Sequence, residues 1–331
     1  MALHAALPLF CKHQRTWRTR CAAGTASVSK QQCSSSTAAA PGVSPSLASS
    51  RRAVLISLLP ASMLLRSPSA VVAAEAPSTE AAADGDTPEE AARALFAAAF
   101  AATTLDGEES GWSAAIAACE RSQSAPWSQP LRARALTNRG NARSRQGRLA
   151  EALEDYDAAA VLAPNAPDPL LNKGVALEAL GRWDEALACY DALLASFPAD
   201  PAGHNNRGNA LLGLRRYAEA AGAYEAAVAL APEFAFAAAN RAEALWAAGR
   251  KSEAVASLRA LLRRYPGFDD ARAALAAAYW DAGRASAAEG EWARVEDPRY
   301  GKPAWVVSDR RWPPPLAQAL ADFGALRPQK R

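Results

Sequence analysis

The stretch NKGVALEALGRWDEALACYDALLASFP at residues 172–198 decides the fold, because its pattern of residue types occurs five times at a spacing of 34 residues. We number each copy from position 1, at residues 133, 167, 201, 235 and 269. Position 8 is small: Gly140, Gly174, Gly208, Ala242 and Ala276. Position 20 is alanine: Ala152, Ala186, Ala220, Ala254 and Ala288. Position 24 is large: Tyr156, Tyr190, Tyr224, Leu258 and Trp292. Position 32 is proline in four copies, Pro164, Pro198, Pro232 and Pro266, and Tyr300 in the fifth.

These recurring residues have physical reasons in a pair of packed helices. Small residues at positions 8 and 20 let two helices approach closely, and the large residue at position 24 fills the space between neighbouring copies. Proline ends the second helix because it lacks an amide donor and restricts the preceding residue. Glycine follows the first helix at Gly147, Gly181, Gly249 and Gly283, whereas the third copy has Arg215 there. We expect Asp168-Pro169 and Asp200-Pro201 to open the next copies as a capping residue and a first-turn proline.

The 34-residue period and its recurring positions resemble the tetratricopeptide repeat (TPR), which has one helix–turn–helix unit per repeat. The resemblance covers residues 133–166, 167–200, 201–234, 235–268 and 269–300. It implies an all-α, right-handed TPR α-solenoid whose concave surface holds another protein or an extended peptide segment. Five repeats fall short of a full superhelical turn in this family, which implies an open groove.

Solenoid ends need caps, because an end repeat would otherwise expose its apolar face. We expect a degenerate N-terminal helical pair at residues 87–132, opening at Thr87-Pro88-Glu89-Glu90, with its second helix near residues 112–119. A C-terminal cap and tail follow at residues 301–331. There, Arg310-Arg311-Trp312-Pro313-Pro314 and a helix near residues 316–323 are expected to fold back over the last repeat.

The N-terminal 74 residues have the composition of a targeting sequence. They hold eight Lys and Arg, many Ser and Ala, and no Asp or Glu, which is typical of a plastid transit peptide. A second, twin-arginine-like signal is predicted by Arg51-Arg52 and the apolar residues 53–65, with cleavage expected after Ala74. Residues 75–86 are then expected to form a flexible linker. The apolar run of 13 residues is short for a membrane anchor, which needs about 20. An ordinary transit peptide with a chance Arg pair remains the alternative.

A narrower resemblance supports the same compartment. The bipartite presequence is similar to that of thylakoid-lumen proteins. Asn-Arg-Gly-Asn at residues 138–141 and 206–209, with the closing Arg-Arg-Trp-Pro-Pro, resembles chloroplast TPR proteins of plants and algae. This resemblance implies a lumenal location, with the stroma as alternative. It also implies peripheral association with thylakoid complexes, and a role in assembling or maintaining a photosynthetic membrane complex.

Charge and cysteine usage narrow the partners further. Beyond residue 74, 29 of the 37 Lys and Arg remain against 34 Asp and Glu, so the remainder is acidic. Nucleic acid is therefore an unfavourable partner, because phosphate binding needs a basic face.

Cys119 and Cys189 should lie two repeats apart, too far for a disulfide, and we expect both to be buried small residues.

Asparagines dominate the expected concave face. In the TPR fold this face presents positions 2, 5, 6, 9, 12 and 13 of the first helix. The resemblance therefore places six asparagines there: Asn138, Asn172, Asn206 and Asn240 at position 6, and Asn141 and Asn209 at position 9. A side-chain amide both donates and accepts hydrogen bonds, so a row of them can bind a peptide backbone. Two interpretations are open: partner contact, or hydrogen bonds to neighbouring helices inside the solenoid.

Trp246 and Trp280, at position 12, are candidate aromatic anchors in the same groove. The cations at position 7 are Arg139, Lys173, Arg207 and Arg241. We expect their stems to cross the seam between helices and their charges to reach water or nearby carboxylates; a carboxylate-binding stripe is the alternative.

The carboxylate clamp of heat-shock-chaperone TPR proteins is not expected. Asn141 and Asn172 match its two asparagines. Its three cationic positions hold Thr137, Ala202 and Asn206 instead.

A non-catalytic protein-binding scaffold is the function that these patterns favour, with a cytosolic or stromal TPR co-chaperone or adaptor as the alternative. Catalysis is disfavoured, because beyond residue 74 the only histidine is His204, and nucleophile, phosphate-loop and metal-ligand motifs are missing. Glu154 and Asp155 are expected on a solvated helix face. We expect no cofactor and no metal. An RNA-reading helical repeat is disfavoured by the acidic charge and by the TPR pattern.

Overall fold

The computed structural model describes residues 87–326. Regular structure in this range consists of α-helices and one 3-10 turn, with no strand. The expected targeting sequence at residues 1–74, including Arg51, Arg52 and Ala74, lies outside the described residues, as do the expected linker and residues 327–331.

Five helical hairpins follow an N-terminal helical pair. The pair is α1 (Pro88–Ala101) and α2 (Leu105–Arg121). Hairpin 1 is α3 (Ser128–Arg145) and α4 (Leu149–Leu162), and hairpin 2 is α5 (Pro167–Ala179) and α6 (Trp183–Ser196). Hairpin 3 is α7 (Pro201–Gly213) and α8 (Tyr217–Leu230), and hairpin 4 is α9 (Ala235–Ala247) and α10 (Lys251–Arg264). Hairpin 5 is α11 (Asp269–Asp281) and α12 (Ala285–Trp292). The 3-10 turn (Pro298–Gly301), α13 (Pro303–Ser308) and α14 (Pro314–Leu326) come last.

Consecutive helices from α1 to α12 pack against one another in chain order. The first helices of the hairpins also contact each other between hairpins 1 and 2, 2 and 3, and 4 and 5. Each first helix has one side that faces away from the second helices. We call the surface formed by these sides the inner face. The arrangement confirms the all-α fold of stacked helical hairpins.

The turns inside the hairpins share one backbone conformation. Gly147, Gly181, Gly249 and Gly283 have φ angles of 81°, 71°, 81° and 71°. Arg215 takes the same place in hairpin 3 with a φ of 59°. An L-residue with a side chain is strained in this left-handed region, whereas glycine is not.

In hairpins 1, 2 and 3, the close approach of the two helices depends on a glycine beneath a tyrosine ring. A Cβ atom at Gly140, Gly174 or Gly208 would lie 2.6, 2.4 or 2.6 Å from Tyr156, Tyr190 or Tyr224 of the same hairpin. The tyrosine therefore packs on its own hairpin's first helix, a contact that the sequence-based expectation of packing between copies did not include. Hairpins 4 and 5 have no tyrosine at this position and carry alanine in place of the glycine.

The helix caps partly follow the sequence-based expectation. Thr87 and Glu90 form a capping box at the start of α1. Asp200 caps α7 by accepting hydrogen bonds from the amides of Ala202 and Gly203. Asp168 is not a cap, because α5 begins at Pro167 and its capping residue is Ala166. Cys119 and Cys189 are buried free thiols, as expected.

Candidate partner-binding face

The C-terminal helix lies on the inner face rather than beyond the last hairpin. Helix α14 packs against α11 and α9, and it buries Leu316, Leu320 and Phe323. The Phe323 ring lies 5.5 Å from the Trp280 ring and 5.7 Å from the Trp292 ring, measured between centroids. The inner face of hairpins 4 and 5 is therefore covered by the chain itself.

A buried carboxylate fixes the segment that leads into α14. Asp270, 1% exposed, accepts hydrogen bonds from Arg310 Nε at 2.9 Å, Trp312 Nε1 at 3.2 Å and Tyr300 Oη at 2.9 Å. A second nitrogen of Arg310 also pairs with this carboxylate. The guanidinium lies 5.5 Å from the centroid of the Phe236 ring. Four donors on one buried carboxylate hold residues 310–312 against the start of α11.

The next residue reaches much further along the inner face. Arg311 Nη1 donates to Glu178 Oε2 on α5 at 2.8 Å, although 133 residues separate the two in sequence. Tyr190 Oη donates to the other oxygen of Glu178 at 2.8 Å. Burial raises the pKa of Glu178 to about 7, while the Arg311 charge and the two hydrogen bonds oppose this rise. The C-terminal cap thus covers hairpin 5, as expected, and extends as far as hairpin 2, which corrects the expectation of an open groove.

A third buried carboxylate lies on the covered part of the inner face. Glu243 on α9 is 2% exposed, and its Oε1 has no hydrogen-bond partner among the described residues. Burial and the neighbouring Asp270 raise the pKa of Glu243 well above its usual range, and Arg310 opposes the rise. Sequence reasoning named none of Glu178, Glu243 and Asp270 as a site residue, although it placed Glu243 at position 9 of the concave face. They occupy positions 12, 9 and 2, which face inwards in this fold, so the register could have indicated them.

The six candidate asparagines fall into three environments. Asn141 and Asn209 accept hydrogen bonds from the hydroxyls of Tyr156 and Tyr224, each at 2.8 Å. Asn206 is 3% exposed and accepts from Asn205, and Asn240 donates to Asn205 at 3.4 Å. Asn138 and Asn172 are partly exposed on α3 and α5. The first two environments hold hydrogen bonds inside the protein, whereas the half-buried side chains of the third make no hydrogen bond within residues 87–326.

Neither candidate tryptophan offers a free ring in this structure. Trp246 is 3% exposed, and Lys251 Nζ lies 4.9 Å from its ring centroid. Trp280 packs against Phe323 of α14.

The cations at position 7 form a ladder with the protein's own carboxylates, as one of the two interpretations expected. Three of them pair with a carboxylate on the second helix of the preceding hairpin: Lys173 with Asp157 at 2.5 Å, Arg207 with Asp191 at 2.7 Å and Arg241 with Glu225 at 3.1 Å between nitrogen and oxygen. Arg139 pairs with Asp155 in its own hairpin at 2.6 Å. Asp155 also pairs with Arg143 and is 3% exposed, so the expectation of a solvated face is wrong for this residue.

Two further properties concern only residues 87–326. In that range, no helix combines the length and apolarity that crossing a bilayer requires. Nor does any group of three or more His, Cys, Asp or Glu side chains there have an arrangement that could hold a metal ion. His204, the histidine of this range, contacts the Pro198 carbonyl at 2.9 Å.

Family comparisons agree with this architecture. A family model described as a tetratricopeptide repeat matches residues 171–233 and 240–302, and another described as a TPR repeat matches residues 140–181. The chain contains tetratricopeptide repeats. TPR folds generally serve as non-catalytic scaffolds that bind proteins or peptides. A search of curated proteins found no significant match.

Solved TPR structures are similar to the chain at low sequence identity. A tetratricopeptide repeat protein from Parabacteroides merdae is 21% identical, with a TM-score of 0.54, over 73% of this chain and 94% of the other. MamA from Desulfovibrio magneticus is 24% identical, with a TM-score of 0.46, over 49% of this chain and 92% of the other. YrrB, described as a TPR protein with an unusual peptide-binding site, is 20% identical, with a TM-score of 0.43, over 57% of this chain and 91% of the other. The first of these supports the TPR fold.

Proposed function

We propose that this TPR protein is a non-catalytic scaffold that binds an extended segment of another protein on the inner face of hairpins 1 and 2. The observation that carries this proposal is that the partly exposed side chains of Asn138 and Asn172 make no hydrogen bond within residues 87–326. These two lie at the same position of consecutive repeats and are partly exposed, whereas α14 covers the inner face of hairpins 4 and 5.

Side-chain amides suit this role because each offers both a donor and an acceptor. A peptide backbone presents both groups along its length, so amides one repeat apart can bind it without reading its side chains. Asn is also unfavourable inside helices, which makes its recurrence at a partly exposed position costly without a role in binding.

The binding test compares two asparagine variants. Changing Asn138 and Asn172 together to Ala should reduce the capture of partners by crosslinking and co-purification from intact thylakoids, while the melting temperature hardly moves. Asn141→Ala is the matched control. It removes the acceptor of the Tyr156 hydroxyl and should lower the free energy of unfolding by about 1–3 kcal/mol. Unchanged capture by the folded double variant would contradict the proposal.

The proposed cellular setting is the plastid, with the thylakoid lumen as the compartment and a photosynthetic membrane complex as the object of assembly or maintenance. Its support is the basic, acid-free composition of residues 1–74 and the Arg51-Arg52 pair.

A reporter fusion tests this setting separately from binding. Residues 1–80 fused to a fluorescent protein should enter plastids, and changing Arg51-Arg52 to Lys-Lys should leave the reporter in the stroma. A reporter that stays in the cytosol would overturn the setting and leave the binding proposal intact.

A further inference from the structure

Residues 309–326 occupy the inner face in the manner of a bound peptide. They consist of a basic–aromatic stretch, Asp309-Arg310-Arg311-Trp312, then Pro313, then the apolar helix α14, which begins with two further prolines. Their polar contacts to the inner face reach Asp270 and Glu178, which are 40 and 133 residues away in sequence.

The inner face is complementary in charge to this segment. Glu178, Glu243 and Asp270 are 4%, 2% and 1% exposed, so three buried carboxylates face two arginines. Glu243 Oε1 also has no hydrogen-bond partner in the described part of the chain. Buried carboxylates are costly without a cation or several donors nearby. An occupant that carries positive charge is therefore complementary to this part of the inner face.

The segment is held unevenly along its length. Leu316 and Phe323 are 0% and 1% exposed, so α14 is anchored by apolar burial. The Arg311 side chain is 45% exposed, has a single ion pair and sits on backbone with a φ of 55°. Arg311 also lies 5.8 Å from the centroid of the Trp183 ring, so the contact between hairpin 2 and the segment is polar and partly exposed, unlike that of α14.

We propose that residues 309–326 are an intramolecular occupant of the inner face, and that a partner segment with two consecutive basic residues, an aromatic residue and then an apolar helix displaces them. The inference goes beyond the proposed function, because it concerns the part of the inner face that residues 309–326 cover and not the asparagines Asn138 and Asn172. The tethered segment competes with the partner at high effective concentration. The apparent affinity for the partner is therefore the intrinsic affinity multiplied by the fraction of molecules in which the segment is undocked.

A labelled synthetic peptide of residues 309–326, DRRWPPPLAQALADFGAL, tests the proposal against the full chain. The receptor is either the wild-type protein or the double variant Arg310→Ala, Arg311→Ala. The variant loosens its own segment and leaves the carboxylates in place. Fluorescence anisotropy should show at least tenfold tighter, one-to-one binding to the variant. The peptide should also raise the melting temperature of the variant.

A matched peptide with both arginines replaced by alanine should bind at least tenfold more weakly to the variant. A folded variant that binds neither peptide would overturn the proposal. So would a concentration-dependent dimer without peptide binding, because the segment would then exchange between two copies.

Hydrogen exchange of the wild-type protein keeps the proposal testable if the variant does not fold. Amides of α14 should exchange faster than those of α9 and α11, through local opening. Equal protection of the three helices would show that the segment is a permanent part of the core. That result would leave the proposed binding at Asn138 and Asn172 untouched, because it concerns a different part of the inner face.

Discussion

Replacing Arg215 by glycine should stabilise the protein. Arg215 is exposed and has a φ of 59°, at the place where the other four hairpins have glycine. A left-handed conformation costs a residue with a side chain roughly 1–2 kcal/mol. Glycine avoids this cost but gains entropy in the unfolded chain, worth about 0.5–1 kcal/mol. The net gain should be about 0.5–1 kcal/mol, since the hydrogen bond from the residue 215 amide to the Leu212 carbonyl is kept.

The matched control reverses this exchange in hairpin 2. Gly181 has a φ of 71°, and no atom lies within 4 Å of where its Cβ would be, so Gly181→Arg has room and differs only in backbone strain. The Gly181→Arg variant should have a free energy of unfolding about 0.5–1 kcal/mol lower than that of the wild type. Urea unfolding followed by far-UV circular dichroism measures both variants against the wild type. A change of 1 kcal/mol corresponds to roughly 2–4 °C in melting temperature for a domain of this size. A destabilised Arg215→Gly variant together with an unaffected Gly181→Arg variant would refute the reasoning.

Two further predictions concern hairpin 2. Gly174→Ala should lower the free energy of unfolding by about 1–3 kcal/mol, because its Cβ would lie 2.4 Å from the Tyr190 ring. The control, Gly222→Ala in α8, has open space around it and should raise the free energy of unfolding by up to about 1 kcal/mol in the same assay. Glu178→Gln should be more stable than the wild type at pH 8, by up to about 3 kcal/mol. The folded protein holds the Glu178 proton more tightly than the unfolded chain, with a pKa of about 7 against 4.5, so wild-type stability falls as pH rises between these values. Melting curves of the two proteins at pH 5 and pH 8 should therefore converge at pH 5, and a gap independent of pH would contradict this origin.

The hairpins were predictable because their signals are local. A glycine in the turn, a proline after the second helix and a small residue beneath a tyrosine each act within one hairpin, so the 34-residue spacing reveals them. The burial of Asp155 also had a signal. Its register position carries Cys189 and Ala223 in the next two hairpins, and both are buried. A solvated face was therefore the wrong interpretation of a position that faces a neighbouring helix.

The course of the C-terminal segment had no such local signal. The pairing of Arg311 with Glu178 joins residues 133 apart, and no periodic pattern relates an irregular tail to a repeat. The repeat predicted an inner face and its polar residues, but accessibility depends on what else the chain lays across it. Asn206 and Trp246 are each 3% exposed, although their register positions match the inner face.

Arg311 and Arg215 share a left-handed backbone, yet glycine should act on them with opposite signs. At Arg311, relief of backbone strain should again raise the free energy of unfolding by about 0.5–1 kcal/mol. Glycine, however, also removes the cation that pairs with the buried Glu178. Leaving a buried charged acceptor without its donor costs about 1–3 kcal/mol, so Arg311→Gly should be destabilised at pH 8.

The loss should shrink at pH 6, because the pKa of Glu178 is about 7 with Arg311 in place and rises when this cation is removed, so both folded proteins then hold a protonated carboxyl, which needs no cation. Urea unfolding at the two pH values, with Arg215→Gly alongside, measures this difference directly. If Arg311→Gly were stabilised at pH 8 as Arg215→Gly is, the pair with Glu178 would contribute nothing to stability. The strain at Arg311 would then lack the compensation that we assign to it.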